Sequence, residues 1–181
     1  MLHYEIPKRV QAGEFVRYWS NIYDYRNEQL YISNITAKLT PTRLRQLYFW
    51  KNGGPLSKRK KKSVEKHYIS RIPDLRKVSK KLGAKEWLEE FGHGRAIWDI
   101  FFLHIWNQTY PIFDQHVYRA MKYIRCRELH ELPQKESDRI RIYLEEYLPF
   151  YKDRLRELDL PEDRELDKAL WRFGKFLKPL K

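Results

Sequence analysis

The chain has 181 residues, 15% of them aromatic, and carries 37 Lys and Arg against 24 Asp and Glu, a formal net charge of +13. That length supports one domain, or one domain with a small lobe, around a real core, and the single Cys126 excludes an internal disulfide or a Cys-rich metal site within one chain. The start MLHYEIPKRV is polar with no apolar h-region, and no apolar run approaches membrane-spanning length, so neither secretion nor membrane insertion is expected.

Residues 1–12 read as irregular around Pro7. A helix is predicted over 14–23, with Phe15, Val16, Trp19 and Ile22 inward, and another over 27–38 on Leu30, Ile32, Ile35 and Leu39. Thr40-Pro41 is a helix start, a hydroxyl cap followed by Pro in the first turn. That helix carries Leu44, Leu47, Tyr48 and Trp50 and stops at Asn52-Gly53-Gly54-Pro55. Lys58-Arg59-Lys60-Lys61-Lys62 cannot be buried. In a basic loop over 51–63 it reads as a phosphate-contacting run that gives affinity without sequence choice, or as a solvated charged turn, and it begins or precedes a helix through Tyr68 and Ile69.

The charge distribution bears on that choice. Residues 1–83 hold 19 Lys and Arg against six Asp and Glu, while residues 84–181 hold 18 of each. An excess confined to the first part points to a polyanion partner. Nucleic acid fits better than a membrane, since no basic amphipathic helix with a clean apolar face stands out; a charge excess serving only solubility is the plain alternative.

Ile72-Pro73-Asp74 opens a predicted helix over 74–82, with Leu75 and Val78 inward and Gly83 as its end. Short helix 84–91 follows, then Gly92-His93-Gly94 and a run that is apolar nearly all round, Ile97, Trp98, Ile100, Phe101, Phe102, Leu103, Ile105 and Trp106, which predicts a buried central helix. Trp98, Phe101, Trp106 and Trp171 read as core, and His104 as a hydrogen-bonded core group. The glycines allow a tight turn. Its amides and the next helix N-terminus are expected to be free for an anion such as a DNA phosphate, with Arg95 adding charge; a plain helix connection is the bland reading. After Asn107, Gln108, Thr109 and Pro111, Asp114 stands at the N-cap of a helix with Val117, Ala120, Met121 and Ile124 in stripe. Arg125 and Arg127 suit that helix's C-terminal dipole as well as they suit DNA.

Pro133 marks a break. The next helix spans 134–158 on Ile140, Tyr143, Leu144, Tyr147, Leu148, Tyr151, Leu155 and Leu158, with an interruption at Pro149 as one option. Leu160-Pro161-Glu162-Asp163 opens the last helix, whose inner face is Leu166, Leu170, Phe173 and Leu177. No strand pattern and no repeat appear, so the fold class is all-α with about ten helices.

The hairpin, the apolar helix, the Pro loop and the Asp-x-His-x-x-Arg that follows resemble the signature of the HhH-GPD (helix-hairpin-helix) superfamily of DNA glycosylases, of the endonuclease III-like kind. Gly92, Gly94, Arg95, Asp114, His116 and Arg119 fall on family positions without a gap. Three residues depart from the pattern: Glu90-Phe91 replaces the usual Leu-Pro, His93 stands where an apolar residue is usual, and Ala96 takes the place of the Lys of bifunctional members.

The resemblance implies a two-lobed helical fold over 1–181, with a core over 84–126, an active cleft between the lobes, and the N-terminal and terminal helices in one lobe. It implies Asp114 as the catalytic carboxylate; Gly92, His93, Gly94 and Arg95, with Lys58, Arg59, Lys60, Lys61 and Lys62, as DNA contacts; and His116 and Arg119 in support. With Ala96, it implies a monofunctional enzyme that flips out and hydrolyses a damaged, mismatched or modified base, leaving an abasic site.

No metal and no iron–sulfur cluster are expected, though a monovalent cation at the hairpin carbonyls fits the family. The Asn52-Gly53-Gly54 loop and the start of the 27–38 helix are the candidates to fill the gap left by a flipped base. The expected partner is double-stranded DNA, bound by a monomer in the cytoplasm (nucleoid-associated) or the nucleus. On the residues alone, a non-catalytic helix-hairpin-helix DNA-binding protein and a helical RNA-binding protein stay open.

Overall fold

The computed structural model describes residues 11–79, 81–158 and 163–178. Residues 1–10 of the start read as irregular over 1–12, and Leu160, Pro161 and Glu162, read as opening the last helix, lie outside them. The protein is all-α, with no strand among the described residues. In chain order the helices are α1 (Ala12–Asn21), α2 (Glu28–Ile35), α3 (Pro41–Lys51), α4 (Lys58–His67), α5 (Ile72–Leu75), α6 (Ala84–Phe91), α7 (Ala96–Trp106), α8 (Gln115–Cys126), α9 (Glu136–Ile142), α10 (Leu148–Leu158) and α11 (Asp163–Phe176). No helix among the described residues is long and apolar enough to cross a membrane.

The chain forms two compact units. One is built from Asp24–Tyr110; the other joins Met1–Tyr23 to Pro111–Lys181. The first and last helices therefore share a unit.

Unit Asp24–Tyr110 is organised on α7, where Ala96 and every residue from Asp99 to Trp106 are buried. A helix buried on all sides needs a full ring of partners. Leu44, Leu47, Tyr48 and Trp50 of α3, Val64 of α4 and Trp87, Leu88 and Phe91 of α6 are all buried. Their rings meet those of α7: Tyr48 stacks on Trp98 at 5.0 Å, and Trp87 lies 5.5 Å from Phe102 and 5.7 Å from Trp106. The Thr40 hydroxyl caps α3 by accepting from Arg43 N at 3.3 Å. Helix α2 buries Tyr31 and Asn34; of the predicted inner face, Leu30, Ile35 and Leu39 are half-buried and Ile32 is 52% exposed. Both polar side chains are satisfied inside. Tyr31 Oη donates to His104 Nε2 (2.7 Å), whose Nδ1 donates to the Tyr110 carbonyl (2.7 Å), and Asn34 Nδ2 donates to the Leu30 carbonyl. His104 is thus the bonded core group expected. Helix α5 ends at Leu75, its last buried residue, short of the predicted 82, because Arg76, Lys77 and Lys81 follow with only the half-buried Val78 among them.

In the other unit α11 lies against α1 and α8. Leu166, Leu170 and Phe173 face inward, and Phe173 meets Phe15, Trp19 and Tyr123. The long helix predicted over 134–158 is realised as α9 and α10 joined by a π-turn at Tyr143–Tyr147. Pro149 cannot donate to the carbonyl four residues back and its ring crowds it. Widening the preceding turn to an i→i+5 pattern removes the conflict without breaking the rod.

Candidate functional site

Asp114 sits in extended backbone (φ −163°, ψ −174°) at the start of α8, and its Oδ1 accepts from His116 N at 2.9 Å and Val117 N at 3.3 Å. Capping satisfies two of the orphan donors of a helix N-terminus. It also fixes the carboxylate, which is half-buried, in one orientation. The first turn of α8 is anchored in turn. Arg119 is buried; its Nη1 donates to the Gly174 carbonyl at 2.9 Å and lies 3.5 Å from His116 Nδ1, while Nη2 donates to Glu131 at 2.8 Å. The His116 ring stands edge-on to Trp171 at 5.2 Å. Gly174 of α11 packs directly on the His116 carbonyl, where a Cβ would collide with it. Asp114, His116 and Arg119 thus lie together on the start of α8, and His116 and Arg119 hold α8 against α11.

Tyr147, read from the sequence only as part of an inner stripe, is contributed by the π-turn. Its ring packs on Phe113 at 5.0 Å, and its phenol is fully buried with no hydrogen-bond partner among the described residues. Burial, then the charges of Asp167, Tyr151 and Asp114, push its ionisation far above the ordinary value. It is neutral at any physiological pH and remains a donor without an acceptor in the neighbourhood of Asp114.

The hairpin belongs to the other unit. Gly92 ends α6, and Gly94 takes φ +75°, the left-handed region that favours glycine. Here the structure corrects the sequence reading. The amides expected to be free for phosphate are engaged: Asp99 Oδ2 accepts from His93 N at 3.0 Å and from Arg95 N at 2.8 Å. Asp99 is 2% exposed, and its Oδ1 accepts from Tyr68 Oη at 2.8 Å. A carboxylate thus fills the anion seat from within and ties the turn down, while the Arg95 side chain is exposed. The signal for Asp99 was its place as the one acidic residue in the apolar run AIWDIFFLHIW. Ala96 is fully buried.

His93 does not reach outward. Its Nε2 donates to the His67 carbonyl at 2.7 Å, and its ring lies 4.6 Å from that of His67. Burial first, then the charges of His93 and Lys66, pull the His67 pKa below its ordinary 6.5. A depressed histidine takes up its proton more readily in the unfolded chain. The stability is therefore intact above about pH 6.5 and falls as pH drops from there through the folded value. Urea denaturation at pH 7.5 and 5.5 should show a loss at the lower pH that is smaller in His67→Gln.

The five cations lie on a helix, not in a loop over 51–63. Ser57 Oγ caps α4 by accepting from Lys60 N at 3.3 Å, so Lys58, Arg59, Lys60, Lys61 and Lys62 occupy its first turns. Cations there oppose the helix dipole by roughly 0.3–1 kcal/mol each, and no acidic residue relieves them. Lys60 Nζ donates to Asn52 Oδ1 at 2.6 Å and lies 5.8 Å over the Trp98 ring. Asn52 Nδ2 ties the glycine loop to itself by donating to the Gly54 and Pro55 carbonyls. All five cations are exposed. Their unit, residues 24–110, holds 18 Lys and Arg against eight Asp and Glu, a net charge of +10. Phe101 and Trp106 are buried as predicted, but Trp98 and Trp171 are only half-buried.

Lys122, the nearest lysine along α8, is bonded to Glu146 at 2.8 Å, and that bond raises its pKa against the opposing effect of burial. It is held charged, which unfits it as a nucleophile. Comparison of the chain with protein-family models, with curated proteins and with solved structures found no match.

Proposed function

We propose that the protein is a monofunctional DNA N-glycosylase in which Asp114 is the essential carboxylate. The observation that carries the reading is the oriented, half-buried carboxylate at the start of α8, eighteen residues after Ala96 and followed by His116 and Arg119 at the spacing of the HhH-GPD signature. Three further features support it: the hairpin locked by Asp99, the strong positive charge of the unit that carries it, and the division that unites the first and last helices.

Departure of a base with the glycosidic electron pair builds positive charge on the sugar. A fixed carboxylate lowers that barrier by stabilising the charge, or by taking a proton from the water that attacks C1′. The logic is that of glycoside hydrolysis with a nucleobase as leaving group. Burial of alanine at position 96 and the ion pair at Lys122 leave no amine to form a Schiff base at these positions. The abasic strand should therefore stay intact until alkali is added.

The test is release of free base, detected by mass spectrometry, from a panel of duplexes with damaged, mismatched and naturally modified bases. Release without strand cleavage is the expected result; tight binding with no release across the panel would favour a non-catalytic DNA-binding protein. Electrostatic docking makes a second prediction. Replacing Lys58, Arg59, Lys61 and Lys62 together by Gln should weaken duplex binding for all sequences alike, and reduce the log–log salt slope by about 1 for each phosphate no longer neutralised.

A further inference from the structure

Helix α8 ends in a group of side chains that the base-release chemistry does not use. Cys126 is the last residue of the helix, Arg127 turns the chain at φ +60°, and Glu128 and His130 follow. A thiol sulfur, a carboxylate oxygen and an imidazole nitrogen from these three residues all lie within 4.8 Å of one another. The Cys126 thiol donates to the Lys122 carbonyl at 3.0 Å, and His130 Nε2 is 2.9 Å from Glu128 Oε2. We propose that Cys126, Glu128 and His130 form a binding site for a zinc ion.

Three features favour a cation here. The donor set combines sulfur, nitrogen and oxygen, the three ligand types of tetrahedral zinc, and leaves the fourth position to water. The site lies at the C-terminal end of a twelve-residue helix, where the dipole attracts positive charge. The turn that presents it is braced beyond the site: Arg119 holds Glu131 at 2.8 Å, and Gln115 Oε1 accepts from Leu132 N at 2.9 Å. Arg127, within the turn, has its guanidinium over the Tyr123 ring at 5.7 Å. Binding replaces the Cys126 S–H bond by a metal–thiolate bond and releases that proton to solvent, while neutral His130 gives its lone pair. All three side chains face solvent, so substitution there spares the core.

Untagged full-length protein, stripped with a chelator, should be titrated with Zn²⁺ by calorimetry and with Co²⁺ by absorption spectroscopy. The expected result is one equivalent of Zn²⁺ per chain and a thiolate-to-cobalt band in the near ultraviolet. Cys126→Ser should abolish the band, and Cys126→Ser, Glu128→Gln and His130→Ala should each lower zinc affinity at least tenfold with unchanged melting of the metal-free protein. The absence of saturable binding overturns the proposal, and so does a His130→Ala or Glu128→Gln variant that binds zinc like the wild type, since a lone reactive thiol would then explain the signal.

Discussion

Gly174→Ala should destabilise the protein by about 2 kcal/mol and lower its melting temperature by roughly 4–8 °C. The direction is the reverse of the ordinary rule. Within a helix, alanine in place of glycine contributes about 0.5–1 kcal/mol in favour of folding. At Gly174 a Cβ would collide with the His116 carbonyl, with the His116 Cα at 3.0 Å behind it. Backbone cannot swing aside as a flexible side chain does, so α11 must move off α8. Overpacking costs about 1–3 kcal/mol, and a backbone collision this close belongs at the upper end, which outweighs the propensity gain. The displacement would also loosen the bond from Arg119 to the Gly174 carbonyl and with it the anchoring of the Asp114 cap. Gly13→Ala in α1 is the control: nothing lies within 4 Å of its added Cβ, and it should stabilise by a few tenths of a kcal/mol up to about 1. Thermal denaturation of the two variants side by side checks both signs.

Asp99→Ala is the second large effect, with an expected loss of about 3–5 kcal/mol. The carboxylate accepts three hydrogen bonds in a nearly sealed position, from His93 N, Arg95 N and Tyr68 Oη. Alanine leaves those donors without this acceptor, and an orphan buried away from water, as the Tyr68 phenol would be, costs about 1–3 kcal/mol. The Tyr68 phenol, whose ionisation is already pushed far up by burial and then by Asp99, cannot relieve the loss by changing charge. Asp99→Asn keeps a carbonyl oxygen that can face the two amides, so it should retain most of the stability. Chemical denaturation of the pair separates acceptor geometry from charge. A small effect in both would mean that the hairpin does not depend on this carboxylate.

Much of the fold was legible because the local signals were strong and agreed with one another. Thr40 and Asp114 cap helices as their side-chain chemistry dictates, and the largely apolar run of α7 is the centre of its unit. What escaped depended on partners far away in sequence. Tyr31 and Asn34 are buried in place of Ile32 because Tyr31 finds His104, 73 residues on, and Asn34 bonds its own helix. Asp99 is explained by Tyr68, 31 residues earlier, together with the hairpin amides, and no periodicity encodes that meeting. The closeness of Gly174 to His116 is likewise a crossing of two helices that pattern alone does not place. The cations of α4 are exposed as their charge requires, and of the two placements open for them, a loop before the helix or its first turns, the Ser57 cap goes with the second.

Asp114 is proposed to perform the chemistry and not only to cap α8. Single-turnover base release by Asp114→Asn, measured with duplex affinity and melting temperature on the same preparation, tests it most directly. Asparagine keeps an oxygen for the His116 and Val117 amides and so preserves much of the cap. The predicted result is base release slower by about 10²–10⁴-fold, with duplex binding retained and only a small change in melting temperature. Release at the wild-type rate by a folded, DNA-binding Asp114→Asn protein would contradict the account and leave Asp114 as a helix cap alone.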